Sequence, residues 1–138
     1  MNITTDKIRE KVIRALCISL AIEPDEVRDD SRLIDELGMD SLDFLDIMFS
    51  LEKDFNMKIR DADFDRVLRP DKSEASLENE FLTHEEISQL APIMPALKDA
   101  AQNGKIMRKE IFSFITLETL IKMVEEKIHL KSNTTLLD

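Results

Sequence analysis

Two glycines in 138 residues, Gly38 and Gly104, leave this chain little means of making the tight reversals that a β fold needs. Four prolines add few more turns, while Leu, Met and Ala are plentiful and Trp and Tyr are absent. That mix favours helix over sheet. The expected fold class is all-α, and the length suits a single domain, 1–138, with a real core.

The periodicity agrees. Ile8, Val12, Ala15 and Leu16 follow three- and four-residue steps, predicting a first helix over residues 4–20 capped by Thr4 or Thr5. A long, mostly irregular acidic connection follows, pinned by Ile22, Val27, Leu33, Ile34 and Leu37 and turned at Gly38. Asp40 or Ser41 then starts a helix over 41–55. On a wheel of about 100° per residue with Ser41 at zero, Phe44, Ile47, Met48, Leu51 and Phe55 fall within roughly 240–340°. Leu42, Leu45 and Phe49 form a second stripe at about 40–100°. One stripe packs a helix into a bundle, so the second is surplus. It is either a second packed side or a docking strip beside Ser41, bordered by acids.

Beyond Ile59 the pattern predicts a short helix near 61–68 and a mobile polar loop over 72–80. Thr83 precedes Glu86 by three residues, a capping-box spacing that predicts a helix to about Leu90. Another is expected from Pro95, stopping before Gly104. The stretch FITLETLIKMVEEKIHL reads as an amphipathic last helix, with Leu117, Leu120, Ile121, Val124 and Ile128 along one side and a frayed tail at 131–138.

Charge narrows the function. The formal net charge is −10, and residues 23–54 alone hold twelve acids against three bases. Nucleic acid and anionic membrane are poor partners for such a surface; a basic protein is a good one. Cys17 is the only cysteine and lies in an apolar helical run, so no intramolecular disulfide forms and no secretory framework exists. The first residues lack the apolar core of a signal peptide and no stretch reaches membrane-spanning length. The expectation is a monomeric cytoplasmic protein without membrane insertion. His84 and His129 are isolated, and no zinc helix, Gly-rich phosphate loop or Cys/His pair is present, so the chain is not expected to be an enzyme.

These parts meet in the stretch VRDDSRLIDELGMDSLDFLDIMFSLEKDFNMKI. With the first and last helices, it closely resembles the acyl carrier proteins, over about residues 4–60 and 112–130. The resemblance implies an acyl-carrier-protein-like helical bundle. It also implies that Ser41, in the D-S-L of Asp40, Ser41 and Leu42, carries covalent 4′-phosphopantetheine donated by coenzyme A. The serine is then an anchor, with no catalytic residue and no metal implied. Partner enzymes would read Leu42, Leu45 and Phe49 as apolar contacts and Asp40, Asp43, Asp46 and Glu52 as acidic ones. Those partners are a phosphopantetheinyl transferase (a holo-acyl-carrier-protein synthase), fatty acid synthesis enzymes and acyltransferases. The acyl chain can fold back among Met48, Leu51, Phe55, Ile59, Met107, Leu117 and Ile121.

One departure stands out: an insertion over about 61–112, before the last helix. The chain most resembles the long-form carriers dedicated to very-long-chain fatty acids for lipid A, although its insertion is longer. The implied role is a specialised lipid pathway, such as lipid A or lipopolysaccharide acylation. A carrier of amino acids or polyketide units is one alternative, and an unmodified interaction module another.

Overall fold

The computed structural model describes residues 4–59 and 81–137. The helix expected near 61–68 and the loop expected over 72–80 lie outside the described residues. Among the described residues the regular elements are helices, joined by irregular segments and two isolated β-bridges.

Helix α1 spans Thr5–Leu20 and is capped by the Thr4 hydroxyl, which accepts from the Lys7 amide at 3.2 Å. It buries Ile8, Val12, Ala15 and Leu16, the line that the periodicity picked out, and ends at Ala21 in the left-handed region. Helix α2 spans Ser41–Phe55 and buries Phe44, Ile47, Met48 and Leu51. Both α2 and the last helix, α5 (Leu117–Leu137), pack on α1. Between them in sequence come α3 (His84–Leu90), which has the predicted Thr83–Glu86 capping box, and α4 (Pro95–Ala101). These two short helices pack on each other, and α4 also packs on a 3-10 segment over Arg108–Phe114.

The connection before α2 holds one short 3-10 turn, Pro24–Glu26, and is otherwise irregular, yet it is not loose. Irregular backbone must find partners for its amides and carbonyls, and here the chain just before and within α5 supplies them. The Leu33 amide donates to the Ile115 carbonyl at 3.0 Å, the Leu117 amide to Ser31 at 3.3 Å, and the Glu118 amide to Asp29 at 3.0 Å. Arg32 adds a side-chain clasp: its Nε donates to the Ser113 carbonyl at 3.0 Å and its guanidinium lies over the Phe114 ring. Leu33 is wholly buried, and Gly38, at φ 75°, makes the turn that returns the Met39 amide to the Leu33 carbonyl at 2.9 Å.

This stitching corrects where the last helix begins. FITLETL reads as helix from Phe114, but Ile115 is extended because its carbonyl is engaged by Leu33. The helix begins only at Leu117, after Thr116 and Thr119 exchange backbone-to-hydroxyl hydrogen bonds at 3.3 and 3.2 Å. At the other end its backbone stays helical to Leu137, through most of the stretch expected to fray; neither Gly nor Pro interrupts it.

Candidate functional site

The Gly38 turn delivers Met39 into the core, at 2% exposure, and leaves Asp40 and Ser41 in solvent. Asp40 is the N-cap of α2. Its Oδ1 accepts from the Asp43 amide at 2.8 Å, while Asp43 Oδ2 accepts from the Asp40 amide at 3.1 Å. Ser41 is thus the first residue of the helix, exposed, and among the described residues its hydroxyl has no hydrogen-bond partner. Helix geometry gives the amides of Ser41 and Leu42 no carbonyl one turn back. An exposed hydroxyl therefore stands over backbone N–H groups at the positive end of a helix dipole, which favours an anion there.

The docking strip read from the wheel divides. Leu42 is 74% exposed and Phe49 52%, so both stand out from the bundle. Leu45 does not: it is half-buried against the core. The acids divide as well. Asp46 is exposed and held only lightly, accepting from the Ser19 hydroxyl on α1 at 3.4 Å. Asp40 and Asp43 are committed to capping the helix. Glu52 turns back to accept from the Ile59 amide at 2.9 Å, closing the far end of α2. The acids of one surface thus differ in what they bond, a division that a count of charges could not reveal.

Of the residues proposed to line an acyl pocket, Met48, Leu51, Ile59 and Leu117 have no exposed surface and Ile121 has 5%. Phe55 and Met107 are half-buried, Phe55 with the Lys11 ammonium over its ring at 5.4 Å. Phe112 was not picked out from the sequence, yet its ring meets Phe44 edge-on, centroids 5.3 Å apart. The only signal for it was an aromatic residue in the short run EIFSF, which carries no clean helical period.

The environment of Cys17 moves its titration. Burial pushes its thiol up, and Glu23, Glu26 and Asp25 push in the same direction. It lines an open hollow with Ile13, Ile18, Ile22 and Pro24, so reagents can reach it. A raised thiol pKa means less thiolate at neutral pH. Alkylation by iodoacetamide is expected to run slower than that of free cysteine at neutral pH. Its rate should keep climbing past the pH at which free cysteine levels off. Mass spectrometry of the Cys17 peptide across a pH series measures this.

Comparison with known proteins gives the arrangement its context. A family model described as a phosphopantetheine attachment site matches residues 6–69. An acyl carrier protein of Thermotoga maritima is 34% identical over 62 residues, covering 45% of this chain and 76% of the relative. The chain belongs to the acyl carrier protein family. Another acyl carrier protein, from Sulfurovum sp., is 39% identical over 56 residues, covering 41% of this chain and 69% of the relative. Acyl carrier protein AcpXL of Mesorhizobium japonicum is 42% identical over 50 residues, which is 36% of this chain but only 54% of that relative. No solved structure matches the chain. The family model ends at residue 69, so α3, α4, the 3-10 segment and α5 of this carrier lie beyond the span it matches.

Membership brings a covalently attached 4′-phosphopantetheine, together with partners among fatty acid synthesis enzymes and acyltransferases. An exposed hydroxyl on open backbone amides fits such a phosphodiester. The carrier's fold is the mostly helical one expected of the family, and among the described residues no helix is long and apolar enough to cross a membrane.

Proposed function

We propose that the Ser41 hydroxyl is the point of attachment of 4′-phosphopantetheine, and that the carrier bears a fatty acyl chain on that arm. The observation that carries the reading is the exposed hydroxyl of Ser41, without a partner among the described residues, at the first position of α2 within the D-S-L motif. In the loading step the Ser41 oxygen forms a bond to the phosphorus of the pantetheine-bearing phosphate of coenzyme A. Adenosine 3′,5′-bisphosphate leaves, and the serine proton passes to a base of the transferase. The protein's own part is to hold that oxygen clear of competing hydrogen bonds and to present unbonded amides to the resulting phosphodiester. The bound arm supplies a thiol that carries the acyl group as a thioester.

Leu42 and Phe49 form the apolar part of the partner-binding surface, with half-buried Leu45 beside them and Asp46, held only by the Ser19 hydroxyl, as its exposed acid. Asp40, Asp43 and Glu52 belong to the same face but act first on the helix. The half-buried and buried residues Met48, Leu51, Phe55, Ile59, Met107, Leu117 and Ile121 form the region into which a chain folds back. A specialised lipid pathway in the cytoplasm, such as lipid A acylation with long chains, is supported by the closeness of DSLDFLDIMFSLEKDFNMKI to long-form carriers and by the segment beyond residue 69.

Intact mass of the protein recovered from its host, and again after incubation with coenzyme A and a phosphopantetheinyl transferase, tests the reading. Peptide mapping should put the added group on Ser41; a bare serine in both samples rejects it.

Charge reversal separates steering from folding. Asp46→Lys should slow loading about tenfold at low salt, because an exposed rim charge governs encounter rather than the bound state. The deficit should shrink at high salt, where screening extends over only about 3 Å. Initial rates of mass gain across a salt series decide it, and a salt-independent deficit would point to lost local structure instead.

A further inference from the structure

We infer that Phe112 sets how long an acyl chain must be before it is drawn into this carrier's interior. The inference rests on the Ser41 attachment proposed above. Ser41 and Phe44 are three residues apart on α2, so the Phe44 ring lies one turn into the helix from the attachment hydroxyl. The inward side of α2 continues through Ile47, Met48 and Leu51, none with any exposed surface. Phe112 meets Phe44 edge-on, with centroids 5.3 Å apart and planes at 90°. Among the described residues this pair stands at the Ser41 end of the buried seam. A chain entering along this side of α2 meets the pair before it reaches Ile47, Met48 or Leu51.

The two rings are not equally free to yield. Phe44 is wholly buried on a helix that is packed against α1. Phe112 is half-buried on the 3-10 segment Arg108–Phe114, whose hydrogen bonds are weaker than those of an α-helix. Phe112 is therefore the ring that moves. Its displacement has a fixed cost, the lost edge-to-face contact and the apolar area uncovered. Every methylene that enters returns a constant increment. A fixed cost set against a gain per carbon makes a length threshold: short chains stay outside and long ones go in. The ring comes from a segment beyond the 6–69 span that the family model matches.

The test loads the full-length protein at Ser41 from a series of acyl-coenzyme A donors, from butyryl to stearoyl, and follows Tm. In the wild type Tm should stay level for short chains and then rise with each added carbon. In Phe112→Ala the rise should begin about two to four carbons earlier, the number of methylenes that offset a displaced aromatic ring. Phe112→Trp should delay it. Phe112→Leu, which keeps most of the apolar volume, should fall between wild type and alanine, and it serves if the alanine variant does not fold. A single offset in Tm with the same onset in every variant would make Phe112 a packing residue only and overturn the inference. So would the absence of any length dependence in protein whose mass confirms loading at Ser41, which leaves the attachment reading intact. Loading at another residue overturns both.

Discussion

Replacing Ser41 with alanine will leave a folded protein that gains no mass from coenzyme A in the presence of a phosphopantetheinyl transferase. The two halves of this outcome have separate causes. Folding survives because Asp40, not Ser41, caps α2, and because the serine hydroxyl has no partner among the described residues. Alanine is also the best helix former, so stability should move by no more than about 0.5 kcal/mol. Loading is lost because the bond to phosphorus needs that oxygen, and the residues beside it, Met39, Asp40, Leu42 and Asp43, carry no hydroxyl. Circular dichroism and intact mass on one preparation measure both halves. A mass gain in the variant would move the attachment point off Ser41.

The second large effect concerns two leucines that composition treats alike. Leu33→Ala is expected to cost about 2–5 kcal/mol, because a fully buried leucine leaves both lost transfer energy and a cavity. Against a total stability of roughly 5–15 kcal/mol, that should lower Tm by roughly 10 °C or more. Leu42→Ala, at a position 74% exposed, should change stability by no more than about 0.5 kcal/mol while weakening docking to partner enzymes. Thermal unfolding of both variants gives the comparison. Wild-type stability in Leu33→Ala would mean that the connection before α2 is not part of the core, contrary to its amide bond to Ile115.

Much of this molecule is legible along the chain because its signals are local. The caps at Thr4, Asp40 and Thr83 are side chains bonding backbone amides three residues on, and such spacings survive in one dimension. The inward line of α2 follows from helical pitch alone, and Phe44, Ile47, Met48 and Leu51 are buried as the wheel requires. The outward line is legible only in part. Leu42 and Phe49 are exposed, but Leu45 is half-covered against the core, and a wheel centred on one helix does not reveal what its neighbours cover.

Other features have no local signal. Helix α5 starts at Leu117 because residues 29–33, some eighty positions earlier, hold the carbonyl of Ile115 and the amides of Leu117 and Glu118. Nothing in the sequence separates Glu52, which bonds the Ile59 amide beyond the helix, from Asp46, which faces solvent beside Ser19 on α1. Phe112 meets Phe44 across the fold, from a run with no period to betray it.

The chain alone determined that this protein is helical, where four of its described helices lie, and that an acid-flanked serine opens the second. Those properties arise within one or two turns of backbone, where spacing is geometry. The tertiary structure alone decided that Asp46 sits beside Ser19, where the last helix begins and that Phe112 meets Phe44 edge-on. These depend on long-range pairing of irregular backbone and on side chains meeting from distant segments, and no periodicity encodes either.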